Sequence, residues 1–168
     1  MKRNYINLKK IMNIILIFVC LISIFVFSNM SGKKSNLSSK RLLENILKIT
    51  EIQREDSTQE FVEEYHELFR KIIHAIEYMI LALCLMSFFS CYNTRVLEKF
   101  IIVLVICIIC SIFDEFHQYF VDSRTASIVD CLIDNVGTLI GIGVHMLIYS
   151  IYCVIFEVVK VKKEKRYI

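Results

Sequence analysis

Ionisable side chains stand at the ends of three long apolar runs in this chain. Arg70, Lys71, His74, Glu77 and Tyr78 open one run, Asp114, Glu115, His117 and Gln118 close the next, and Asp130, Asp134 and Asn135 open the last. A charge within an apolar run is costly unless it faces a bundle interior and finds a partner, so such residues mark a candidate functional site. Helical spacing puts Lys71, His74 and Tyr78 on one stripe, Asp114 with Gln118 on a second and Asp130 with Asp134 on a third. The candidate binding set is Arg70, Lys71, His74, Tyr78, Asp114, Glu115, Gln118, Arg124, Asp130 and Asn135.

Two chemistries suit these residue types. In the first, Lys71, His74 and Arg124 engage an anionic headgroup while Asp114, Glu115 and Asp130 orient them, with Asp114 and Arg124 expected as partners. In the second, His74 is a general acid or base oriented by Asp114 or Glu115. No Ser or Cys nucleophile stands beside a base, so such an enzyme would hydrolyse with water. The competing structural reading is an ion-pair network that only fixes helices together.

Other motifs carry less. His74, His117 and the carboxylates are suitable metal ligands, but there is no H-E-x-x-H pair and no repeated Cys or His spacing. No metal and no cofactor are expected. Six of the seven cysteines fall in apolar runs, where Cys behaves as a small hydrophobe. The Cys107-x-x-Cys110 pair has aliphatic neighbours, not the electropositive, accessible setting that a reactive thiolate needs. His145 has no acidic neighbour and is expected to be a satisfied interior histidine. Gly137 and Gly141 have the spacing that lets two helices approach closely.

The elements that must position these residues are helices. The chain has no proline and only four glycines, too little turn punctuation for a β-rich domain. An apolar fraction of 56 % and a mean hydropathy of +0.56 point to lipid as part of the solvent. A length of 168 residues suits one domain, 1–168. Runs at 11–27, 72–89, 100–118 and 128–156 are long enough to span a membrane. The expected fold is therefore all-α, a polytopic membrane protein folded as a compact bundle of about four transmembrane helices. Its first loop, 28–71, is expected to be helical and interfacial, with an apolar stripe of Leu42, Leu43, Ile46, Leu47 and Ile49. Ser57-Thr58-Gln59-Glu60 has the form of a capping box, and a helix beginning near Thr58 should run straight into the second span. The first span reads as a retained anchor, not a cleaved leader.

Orientation follows from the loop charges. The N-terminal segment holds four Lys and Arg, the loop 90–99 two, the C-terminal tail five, and the loop between spans three and four only Arg124. Both termini are expected in the cytoplasm, with the three polar helix ends together at the outer face. The first loop has eight basic residues but also eight acids, and long loops translocate largely regardless of charge. Nucleic acid is not an expected partner, because the basic runs flank apolar spans instead of forming one face. Polarity on one side only disfavours a transport path.

At these residues the chain resembles the VanZ-like family. The likeness lies in Phe27-Ser28-Asn29-Met30-Ser31 with the serines of 35–39, in Arg70-Lys71-x-x-His74-x-x-Glu77-Tyr78, and most of all in Asp114-Glu115-x-x-Gln118-x-Phe120-x-x-x-Arg124. Asp130, Asn135, Gly137 and Gly141 continue it, whereas Asp122-Ser123 replaces the Pro-Gly that the family often has before the loop arginine. The resemblance implies an integral membrane protein of the bacterial cell envelope, accessory to glycopeptide resistance and associated with teicoplanin more than vancomycin. It implies no settled activity; the partner expected from the charged cluster is a membrane lipid or a lipid-linked cell-wall component.

Overall fold

The computed structural model describes residues 2–49, 55–122, 124 and 126–164. They form five helices: α1 (Lys2–Ser28), α2 (Gly32–Ile49), α3 (Glu55–Phe89), α4 (Val96–Gln118) and α5 (Ile128–Glu164). Four have stretches long and apolar enough to cross a membrane: Asn7–Ser28, Glu64–Phe89, Val96–Gln118 and Ile128–Val159. These contain the runs expected from hydropathy and extend each by a few residues at one end or both. A helix rises about 1.5 Å per residue, so the 23 residues of α4 exceed the hydrocarbon thickness of about 30 Å by only a turn or so.

α3 is the hub, packed against each of the other four helices. Its buried positions Tyr78, Leu81, Ala82, Leu85 and Met86 recur every three or four residues, which gives one apolar face for the core. Ile24 of α1, Val103 and Cys107 of α4 and Ile142 of α5 complete that core. The opposite faces of α1, α4 and α5 carry rows of exposed large apolar side chains, Phe18, Ile22, Ile109, Phe113, Leu132 and Leu147 among them. In water so much exposed apolar surface would drive association; in a bilayer it is the lipid-facing coat.

The closest approach is between α3 and α5. A Cβ placed on Gly137 would run into the carbonyl of Ala75, and one on Gly141 into that of Met79. The small-residue spacing thus lets the two backbones touch, as the sequence predicts.

The first loop is more ordered than a linker. α2 packs on α3, with Leu43 and Val62 buried. α3 runs unbroken from Glu55 into the second span, starting a few residues before the expected Thr58. The expected capping-box side chains at 57–60 lie outside the described residues.

Candidate functional site

The polar ends of α3, α4 and α5 do meet at one end of the bundle. There they surround two adjoining cavities, which share Arg70 and His74 on their walls.

The inner cavity has a volume of about 10 Å3, and its walls include Lys71, Glu115, Gln118, Asp130 and Asp134. That is room for about one water molecule. Lys71 Nζ lies 2.8 Å from Asp130 Oδ1, an ion pair joining α3 to α5 beside the glycine contact. Gln118 Nε2 donates to Asp114 Oδ2 at 2.8 Å, one turn back on α4. Ser111 Oγ donates to the buried Asp134 Oδ2 at 2.9 Å and ties α4 to α5. Glu115 Oε2 accepts the backbone N–H of Ser127 at 2.8 Å, holding the start of α5 against the end of α4. Such bonds satisfy a donor that the first turn of a helix leaves open.

The outer cavity, of about 70 Å3, lies between α2, α3 and the α4–α5 loop. Arg124 crosses it: its Nη2 donates to Ser35 Oγ at 2.9 Å and to the carbonyl of Phe27 at 3.0 Å. That carbonyl, in the last turn of α1, also accepts the Met30 backbone N–H at 3.3 Å, and the negative end of the helix attracts a cation. Arg70 Nη1 donates to Asn36 Oδ1 at 2.9 Å. Phe27, Met30, Leu42 and Ile73 supply apolar wall, and no carboxylate lines this cavity among the described residues. Burial and the neighbouring Arg70 charge lower the pKa of Arg124 from the ordinary arginine value, against the more favourable pull of Asp114, Glu115 and Asp130. Its buried Nε has no partner among the described residues.

Several expected pairings are corrected. Arg124 does not pair with Asp114; it reaches a hydroxyl and a backbone carbonyl, and Asp114 is bonded by Gln118. His74 shares the inner cavity with Glu115 but makes no hydrogen bond or ion pair with Asp114 or Glu115 among the described residues. Its Nδ1 lies 3.2 Å from Glu77 Oε2, three residues on along the same helix, without hydrogen-bond alignment.

Of the ten candidate residues, Arg70, Lys71, His74, Glu115, Gln118, Asp130 and Arg124 line one or both cavities. Tyr78 is fully buried in the core and, with Asp114 and His117, borders a separate groove of about 300 Å3 along α1 and α4. Asn135 Nδ2 turns to the Cys131 carbonyl of its own helix at 2.7 Å and lines neither cavity. His145, expected to be satisfied, has a buried Nδ1 with no partner among the described residues. The contributions of Ser35, Asn36 and the Phe27 carbonyl were missing from the candidate set. Their only signal was the serine-rich segment after the first span.

Among the described residues no group of three or more His, Cys, Asp and Glu side chains is arranged to hold a metal ion. A family model described as VanZ/LLP1 matches residues 13–151, a span that includes every residue of both cavities. No curated protein and no solved structure matches the chain.

Proposed function

This chain belongs to the VanZ/LLP1 family of membrane proteins, and on that premise we propose that it binds the anionic headgroup of an outer-leaflet lipid or lipid-linked cell-wall component. The observation that carries this reading is the pair of guanidinium groups, Arg70 and Arg124, on one cavity that no carboxylate lines among the described residues. Their hydrogen bonds among the described residues go to neutral acceptors. Two like charges brought together in a half-buried site repel, and a bound anion relieves that repulsion. Arginine's planar fork also suits a phosphate or carboxylate.

Size narrows the ligand. About 70 Å3 holds roughly five to seven waters at ~10–15 Å3 each, which suits a phosphate group and not a whole glycopeptide. The apolar wall of Phe27, Met30, Leu42 and Ile73 would receive the first carbons of the lipid. We place the polar end outside the cell on the loop-charge argument, with both termini in the cytoplasm. In this role the protein is an accessory of the bacterial envelope, changing how teicoplanin, with its lipid tail, meets the outer leaflet.

The test compares wild type with Arg70→Gln and Arg124→Gln in nanodiscs containing phosphatidylglycerol, and measures retained anionic lipid by native mass spectrometry. Each variant should lose about tenfold or more in retention, the worth of one charge-assisted contact, while accumulating normally in the membrane. Teicoplanin susceptibility of cells carrying the same variants tests the resistance role. Normal abundance with undiminished lipid retention in both variants overturns the headgroup reading.

A further inference from the structure

The opposite end of the bundle holds a second, larger polar cavity. Ile142 is buried and Gly141 presses on the Met79 carbonyl, yet a Cβ on Gly143 would meet nothing within 4 Å. From Gly143 to Val159 every residue of α5 is exposed except half-buried His145. The last helix thus parts from its neighbours beyond Ile142. The space it leaves beside the end of α3 and the start of α4 is a cavity of about 430 Å3.

Its polar walls are Ser90, Asn93, Thr94, Lys99, His145, Tyr149 and Ser150, and no carboxylate lines it among the described residues. The Ser90 hydroxyl is committed to the Met86 carbonyl at 2.7 Å. Lys99 has no ion-pair partner among the described residues, and the buried Nδ1 of His145 has no hydrogen-bond partner among them. The positive charges of Lys9 and Lys99 both act on His145. Lys10 Nζ sits 4.0 Å from the ring centroid of Tyr92, which brings the start of α1 beside the α3–α4 loop. The acid adjoining this loop, Glu98, is turned to Arg95: its Oε2 accepts the Arg95 backbone N–H at 3.2 Å, and its Oε1 lies 3.9 Å from Arg95 Nε.

We propose that this cavity is a second binding site, for a phosphate ester held by Lys99 and His145. A lysine beside an unpaired imidazole, with amide and hydroxyl donors and no acid among the described residues, is the lining such a group needs. The volume lies within the range of small-ligand pockets, room for the phosphate and the glycerol or sugar it esterifies. The same chemistry is offered by a phospholipid headgroup and by a soluble phosphate ester.

The experiment uses the full chain carrying Arg124→Gln, so that the cavity at the other end is disabled, in dodecyl maltoside micelles, which contain no phosphate. Two probes are titrated separately, phosphatidylglycerol in the micelle and glycerol 3-phosphate in solution. At least one should bind, and Lys99→Gln and His145→Gln should each weaken it about tenfold, the loss of one charge-assisted contact. Arg95→Gln, 88 % exposed at its side chain and outside the cavity, should leave binding unchanged. Binding of glycerol 3-phosphate identifies a soluble ligand, and binding of phosphatidylglycerol alone a lipid. Absence of binding by both probes overturns the proposal. So does retained affinity in Lys99→Gln, which decides alone if His145→Gln fails to accumulate, or an equal loss in Arg95→Gln, which would mean diffuse surface attraction.

Discussion

Three glycines on one helix provide a test of how the site is held together. In Gly137→Ala the new methyl runs into the Ala75 carbonyl, a backbone atom that cannot swing away. The α3 and α5 backbones must part by about 1 Å, and a gap of that size forfeits up to half the dispersion well of each contact along the seam. Overpacking of this kind costs about 3 kcal/mol where nothing can give. Alanine's better helix propensity returns about 1 kcal/mol, which leaves the variant about 2 kcal/mol less stable. Gly143→Ala meets open space, so only the propensity gain of about 1 kcal/mol applies. The two single-methyl changes should thus differ by about 3 kcal/mol in opposite directions, by the same two magnitudes. The assay is reversible unfolding in mixed detergent micelles, followed by circular dichroism. Gly137→Ala should also weaken anionic-lipid retention, because the parting helices carry Lys71 and Asp130. If Gly137→Ala proves as stable as Gly143→Ala, the close approach of α3 and α5 is refuted, along with the geometry built on it.

The remaining expectations concern topology and the polar contacts. In a cysteine-free chain, single cysteines at positions 55 and 123 should react with an impermeant thiol reagent in intact protoplasts, and those at 95 and 164 should not; reactivity at 95 but not 123 inverts the orientation. Lys71→Met and Asp130→Leu should each destabilise by about 1–3 kcal/mol, because each strands a partly buried charge, with side chains 29 % and 21 % exposed in the pair. The double variant should recover much of that loss in a double-mutant cycle, and strict additivity would show that the pair is not coupled. Ser111→Ala should cost about 1–3 kcal/mol by leaving the buried Asp134 carboxylate without its donor; unchanged unfolding would deny that bond a role.

The apolar runs were legible because lipid imposes a length and a composition that few other settings require. Gly137 and Gly141 were legible for a similar reason, since close helix contact demands small residues at one repeat. The outer cavity was harder to see. Arg124 is fixed by the Phe27 carbonyl, 97 residues away in sequence, and a backbone acceptor leaves no residue type to recognise. Asn36 and Ser35 sit on a helix whose serines suit water as well as they suit an arginine. The expected Asp114–Arg124 pairing does not form because neutral acceptors, a hydroxyl and a backbone carbonyl, hold the Arg124 guanidinium. Gln118, one turn away on the same helix, was the nearer donor for Asp114. The acid nearest His74 is Glu77, three residues on along its own helix, where spacing alone does not set it apart from the acids of the neighbouring helices.

The hub position of α3 also bears on how the chain assembles during synthesis. α2 packs on α3, and α1 packs on α3 and α4, so the first span waits in the bilayer until the second has been inserted. Even then Lys71 lacks its counter-ion, because Asp130 arrives with α5. Until that span docks, the membrane must tolerate an unneutralised ammonium at its boundary. A helix made after the other four is therefore the one that closes the site, and a chain that stops before it exposes a stranded charge.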